Sequence, residues 1–300
     1  MATTFATINQ SLVDNAVVSA LRTLKPMLSA FSYRPVTEGK IQNDIVYVPI
    51  ATDPTAQSKT AGTAVTDNGT IAGTSVTLSN LYAAGWTANE GTMPSSLFPA
   101  FWQDKIAGGV AALGKQVIDA ALALVTTTNY GSAEGTDELT VAYADFGLSD
   151  LTTLWQYAIA KIKNQRMSFG MNPAVAGAIF GESNIASAFA YNGTNYIQTG
   201  AVPQLLGMNT WMYGDFPTNS QNLASAIFGQ AAILACTAPI DDLIGTAGEI
   251  IERRNIVDPE SGIACTYTMY ASGAGKVTGE VQLLYGVAKG QDAIVAHRIA

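Results

Sequence analysis

A chain of 300 residues, 48% hydrophobic and only 13% charged, holds enough apolar side chain for one large domain or two modest ones. Its formal net charge of −8 excludes the basic footprint of a general nucleic-acid-binding protein, though not a protein that encloses nucleic acid without gripping it. So little charge suits a subunit packed against copies of itself rather than a free monomer.

Residues 1–40 read as an extension with one helix inside. Leu12, Val13, Ala16, Val17, Ala20, Leu21, Leu24 and Leu28 recur at three- and four-residue steps, with Ser11 as N-cap and Pro26 at the fading end. Such a helix packs either on its own subunit or across a neighbour. Its polar face has too few cations for a membrane-surface helix. The chain then rises through a strand, Ile45 to Ile50, and crosses a threonine-rich loop, Ala51 to Ser75. It returns through an alternating strand with Val76, Leu78, Tyr82, Ala84 and Trp86 on one face. A loop this poor in large apolar groups cannot bury enough surface to hold itself, so a neighbour is expected to hold it.

Pro94-Ser95-Ser96 opens the longest predicted helix, 94–128. Its apolar stripe is Trp102, Ile106, Val110, Leu113, Val117, Ala121 and Leu124. Pro99 is tolerable in the first turn. Gly108 and Gly109 sit mid-helix, at a cost of about 1 kcal/mol each, and point to a bend or a close contact. Lys115 and Asp119 interrupt the richest apolar stretch, so no membrane span is expected, and no signal peptide is recognised.

After a loop at 129–146, Ser149 caps a helix carrying Leu151, Leu154, Trp155, Ala158 and Ile162. A short strand, Arg166 to Met171, leads into Asn172-Pro173, an N-cap plus first-turn proline, and a helix ending near Gly181. Residues 196–240 read as strand and loop, with a helix allowed at Ala224–Ala235. Strands follow at 249–257, 263–269 and 277–287, joined by turns at Asp258–Gly262 and Gly273–Gly275.

Residues suited to catalysis are scarce. The chain has one histidine, His297, read as a surface or edge-strand residue. No nucleophile elbow, Walker loop or zinc spacing is present. Asp67-Asn68-Gly69 lacks the carboxylates of a calcium loop and reads as a tight turn. Cys236 and Cys265 form no C-x-x-C pair and read as reduced thiols. No catalytic, cofactor or metal site is assigned.

The order of parts, arm, hairpin loop, long helix, compact α/β portion and returning strands, resembles the HK97-fold major capsid proteins of tailed double-stranded DNA bacteriophages. The Arg166–Pro173 stretch followed by Ala-Val-Ala-Gly-Ala-Ile-Phe is similar to that family's strand, Asn-Pro, helix passage. Gly200-Ala-Val-Pro-Gln-Leu-Leu-Gly207, followed by the apolar run at Trp211, and Ala226–Ile233 are similar to two further family strands. The resemblance implies an α+β fold with an N-terminal arm (1–44) and an E-loop (45–93). The P-domain is 94–146 with 247–290, the A-domain 147–246, and the C-terminal end 291–300. It implies a shell of hexamers and pentamers around phage DNA, assembled in the host cytoplasm, with separate scaffold, portal and decoration proteins as further partners. On that pattern Lys59, Val65, Asp67 and Ile71 of the E-loop contact the adjacent subunit, the A-domain loops around 184–200 meet at the capsomer centre, and Gly108 and Gly109 bend the spine helix. Some relatives weld subunits through a Lys–Asn isopeptide bond. Lys59 lies in the corresponding loop, but no partner with a catalytic Glu can be matched, and that chemistry is not carried over. No scaffolding segment is expected before the arm. Two alternatives remain at this stage. One is an encapsulin-like bacterial compartment. The other is a β-rich hydrolase or carbohydrate-binding protein, which needs a pocket of convergent polar groups that the sequence does not supply.

Overall fold

A computed structural model describes residues 10–51, 57–62, 64, 71–89, 96–163, 166–181, 204–216, 220, 222–240, 249–258, 261–273 and 275–299. The first element is helix α1 (Gln10–Leu28), followed by β1 (Ser32–Pro35), β2 (Ile45–Ala51), β3 (Ile71–Thr77) and β4 (Asn80–Asn89). Helices α2 (Phe98–Ala123) and α3 (Thr127–Tyr130), strand β5 (Glu138–Thr140), helix α4 (Leu148–Ile162), strand β6 (Met167–Met171) and helix α5 (Pro173–Gly181) come next. Strands β7 (Asn209–Met212), β8 (Leu223–Gly229), β9 (Ile233–Ala238), β10 (Glu249–Asp258), β11 (Ile263–Ala271), β12 (Lys276–Lys289) and β13 (Ile294–Arg298) complete the chain.

Helix α2 is the axis of the core. By length and composition it could cross a membrane. Instead its stripe of Trp102, Ile106, Val110, Leu113, Val117 and Ala121 is buried against β4, β12 and α1. Pro99 stands in its first turn, and no side chain caps its N-terminus. The helix starts at Phe98 and stops at Ala123, inside the predicted 94–128. Of the two placements open to the first helix, α1 takes its own subunit: Val13, Ala16, Val17, Leu21 and Leu28 are buried in the same core. Arg254 pins its polar side through Asp14 at 3.1 Å.

The first sheet runs β1-β9-β12-β11-β10, with β4 also paired to β12. The second runs β5-β13-β8-β6-β7. Strand membership crosses the boundaries drawn from sequence. β9, from the predicted A-domain, lies in the first sheet, while β5 and the C-terminal β13 join the second. Long-range pairing decides this, and no local signal carries it.

Three local expectations change. Ala224–Ala235 is not helical: it supplies β8 and β9, whose residues are buried along their whole length. A strand covered on both faces loses its alternation, so its apolar run reads equally as buried helix. The single return strand of the arm is two strands, broken at Leu78-Ser79, because β3 pairs with β2 while β4 leaves to pair with β12. Helix α4 begins after Gly147 rather than at Ser149, and the Asp150 carboxylate accepts the Gly147 N–H at 3.0 Å. Asn172 caps as expected, its Oδ1 accepting from the Ala174 N–H at 2.8 Å.

Candidate assembly interface

The hairpin β2–β3 pairs residue for residue from Ile45 with Thr77 to Ala51 with Ile71. Alternation along β2 gives it two faces. Val46, Val48 and Ile50 turn toward Val76, Leu78, Leu234, Cys236, Ala238, Ile240 and Leu284, a second apolar cluster separate from the main core. The opposite face presents Ile45 (55% exposed) and Tyr47 (69% exposed) to solvent.

The root of the hairpin is therefore held by its own chain, while the expectation that a neighbour holds the threonine-rich loop falls partly on residues outside the described ones. The apolar residues that do this, Val48, Val76 and Leu78, flank the threonine-rich stretch rather than lying in it. Backbone bonds add to the grip: the Asn43 N–H donates to Leu78 O, and the Leu78 N–H donates to Asp44 O, each at 2.8 Å. Arg34 Nη1 donates to Tyr47 O at 2.9 Å. Where β3 crosses β12, Gly286 leaves room for the Thr77 carbonyl, and a methyl group there would drive into it.

Of the predicted contact residues, Lys59 is exposed beyond the hairpin root. Ile71 opens β3 opposite Ala51. Val65 and Asp67 lie outside the described residues, as do the loops around 184–200. Sequence reading missed Ile45 and Tyr47. Their signal was the alternation of Ile45-Val46-Tyr47-Val48, which has large groups on both faces when only one can be inward.

Helix α2 is continuous through Gly108 and Gly109. A Cβ at Gly109 would stand 3.2 Å from that of Ala84, so this glycine serves a close contact with β4, whereas Gly108 faces open space. Two further links join α2 to the segment after β7: Tyr213 donates to Asp119, and Lys115 pairs with Asp215. The hydrogen bond from Lys115 to Asp215 raises the Lys115 pKa, and partial burial opposes it.

His297 is not on the surface. It is 0% exposed on β13, between β5 and β8. Its Nε2 lies 3.0 Å from Val141 O, which can only accept, so Nε2 carries the proton and Nδ1 accepts from Ser225 Oγ at 3.0 Å. Phe146 stacks on the ring with centroids 4.3 Å apart. Burial lowers the pKa of this imidazole, against the Val141 hydrogen bond and the charge of Asp150, which raise it. With Ser225 also 0% exposed, the Ser–His pair is closed to any substrate and acts as a packed polar link.

The two thiols are free and buried on opposite sides of the first sheet, Cys265 in the main core and Cys236 in the hairpin cluster. Burial, with the charge of Asp258 adding, pushes Cys265 up to about 12. Burial pushes Cys236 up to about 11 against the charge of Arg34. Neither is a nucleophile at neutral pH. Among the described residues no three His, Cys, Asp or Glu side chains gather as a metal site.

Among the described residues, what stands out is thus an amphipathic hairpin and a long core helix. Solved structures match this arrangement over nearly its whole length. A capsid of the cyanophage P-SCSP1u covers 91% of this chain and 87% of its own, at TM-score 0.55 and 12% identity. The fold is the HK97-like capsid fold. The capsid of a native GTA particle is similar over 100% of this chain and 94% of its own, at TM-score 0.53 and 18% identity. A virus-like particle from Pyrococcus furiosus is similar at TM-score 0.50 and 10% identity, covering 95% and 97%. No family model and no curated protein matches the chain.

Proposed function

We infer that this chain is a major capsid protein that self-assembles into hexamers and pentamers of an icosahedral shell enclosing phage DNA. The observation that carries this reading is the capsid-like fold over 91% of the chain, together with a hairpin that offers Ile45 and Tyr47 to solvent. An apolar pair on a projecting element is a partner surface, and in a closed shell many modest contacts add through avidity. On this reading the arm is 1–44, the E-loop 45–93, the P-domain 94–146 with 247–290, and the A-domain 147–246. Lys59, Val65, Asp67 and Ile71 meet the adjacent subunit, and Gly108 is the point where α2 bends between non-equivalent positions. The chain performs no catalysis. It resides in the virion, assembles in the bacterial cytoplasm, and works beside separate scaffold, portal and decoration proteins.

Electron microscopy of the purified full chain tests the reading. Closed shells are expected, and a monomer under every assembly condition overturns it. A second use of the same fold, a bacterial compartment, rests only on the likeness to the virus-like particle from Pyrococcus furiosus. Nuclease-protected DNA inside particles from the native source supports the capsid, and a protein cargo supports the compartment.

A further inference from the structure

Among the described residues, three strands of the first sheet pair on one side only, the short β1 with β9 and the long β4 with β12 and β10 with β11, which leaves two long open edges. The two edges match each other. Each strand is 10 residues long. The register runs level from one to the other, through the row Gly85, Glu280, Thr268, Arg253 and the row Thr87, Thr278, Tyr270, Ile250. Each neighbouring pair among β10, β11, β12 and β4 is antiparallel, so β4 runs opposite to β10. A second copy set alongside in the same orientation therefore offers its β10 antiparallel to this β4, which continues the pattern of the sheet.

Monomeric proteins close such edges with charge or proline. β4 has neither over its sequence Asn-Leu-Tyr-Ala-Ala-Gly-Trp-Thr-Ala-Asn. β10 carries both a bulge between Ile250 and Glu252 and five charged residues, Glu249, Glu252, Arg253, Arg254 and Asp258, but the bulge leaves Glu252 to Asp258 in regular register and the charges suit a partner edge that, like β4, brings none of its own.

Charge says what covers the β4 edge. Gly85 has no side chain, and a Cβ built there would meet only Gly279 O, at 3.7 Å. Behind it on the same row stands Glu280. On the other edge the same row ends in Arg253, whose guanidinium donates to Ile240 O within its own chain and would have to turn outward to reach a neighbour. Arg253 of an adjoining copy would lie across the bare Gly85 from Glu280, two strand spacings or about 10 Å away at the backbone. An Arg and a Glu side chain together span that gap.

We propose that β4 of one copy pairs with β10 of the next, so that the first sheets of neighbouring subunits join into one continuous sheet with Arg253 bridging over Gly85 to Glu280. The contact is head-to-tail, and a closing rotation makes it a ring. The proposal rests on the shell reading and names one of its subunit contacts.

Paired cysteines in the full chain test it. Thr87→Cys with Ile250→Cys, and separately Ala83→Cys with Asn255→Cys, place thiols on facing rows of two copies. Within one chain these positions are three strand spacings apart, about 14 Å, beyond disulfide reach of about 6 Å between Cα atoms. Any disulfide is then intermolecular, and the native thiols are buried and silent. Oxidised particles of either double variant should give a ladder of multimers on a non-reducing gel, absent from the single variants. Shells that form without a ladder from both pairs overturn the edge pairing and leave the capsid reading intact. A ladder without closed shells overturns the capsid reading and upholds the pairing. A wild-type chain that stays monomeric overturns both.

Discussion

The indole N–H of Trp102 donates to the Tyr267 hydroxyl at 2.6 Å, tying the start of α2 to the middle of β11 inside the core. Both side chains are 0% exposed. Tyr267→Phe removes the acceptor and leaves a buried donor unpaired, at a cost of about 1–3 kcal/mol. Urea unfolding followed by tryptophan fluorescence reads this directly. An unchanged midpoint would show that water replaces the hydroxyl.

His297 should make the protein acid-sensitive. Its folded pKa lies below the ordinary value, because burial disfavours the charged ring. The unfolded chain then binds the proton first as pH falls through about 6.5. The stability held by the neutral ring is complete above that value and is lost as pH drops toward the lower folded pKa, at no more than about 1.4 kcal/mol per pH unit. Denaturant midpoints of wild type should decline between pH 7 and pH 5 more steeply than those of His297→Gln. Parallel profiles would rule the imidazole out as the cause.

Two glycines separate packing from flexibility. Gly286→Ala forces a methyl into the Thr77 carbonyl, so β3 must lift from β12. Overpacking of this kind costs about 1–3 kcal/mol. Limited proteolysis should then cut within 45–77 faster, and shell yield should fall. Gly108→Ala meets nothing within 4 Å and should stabilise the subunit by about 1 kcal/mol through helix propensity. If Gly108 is the bending point, the same variant assembles more slowly despite its higher melting temperature. Unaltered assembly kinetics would remove that role from it.

Lys161 links three segments. Its Nζ donates to Tyr130 O at 2.7 Å and pairs with Asp137 at 2.7 Å and Asp292 at 3.0 Å. Partial burial pushes Asp137 up, but the Lys161 and Ala133 hydrogen bonds and the Lys161 charge outweigh it and hold the carboxyl low. Lys161→Met leaves both carboxylates without this cation and should cost about 2 kcal/mol at neutral pH, less than a fully buried pair because Asp292 is half in solvent. The deficit should shrink as acid protonates the carboxylates, which thermal melts at pH 7 and pH 4 would reveal.

The hairpin face is tested most simply by Tyr47→Ser. Tyr47 is 69% exposed, so subunit stability should hardly move. Shell formation should need a higher protein concentration, measured by light scattering. Equal critical concentrations would move the contact elsewhere on the hairpin.

The amino-acid sequence by itself determined what depends on near neighbours. The α2 stripe from Trp102 to Ala121, the Asn172 cap and the alternation of β11 and β12 were all legible, because helical and strand periods are local properties. The order of these parts was also enough to bring the capsid family into view. Only the tertiary structure decided what depends on partners distant in the chain. β8 and β9 became strands because β13, β6 and β12 flank them, and full burial had erased the alternation that would have marked them. His297 moved from an expected surface to a closed pocket because β5 and β8 bracket β13. The hairpin is anchored by Leu234, Cys236 and Leu284, residues more than 150 positions further along the chain. Its root is held within the subunit for that reason, and its outer face, with Ile45 and Tyr47, stays exposed.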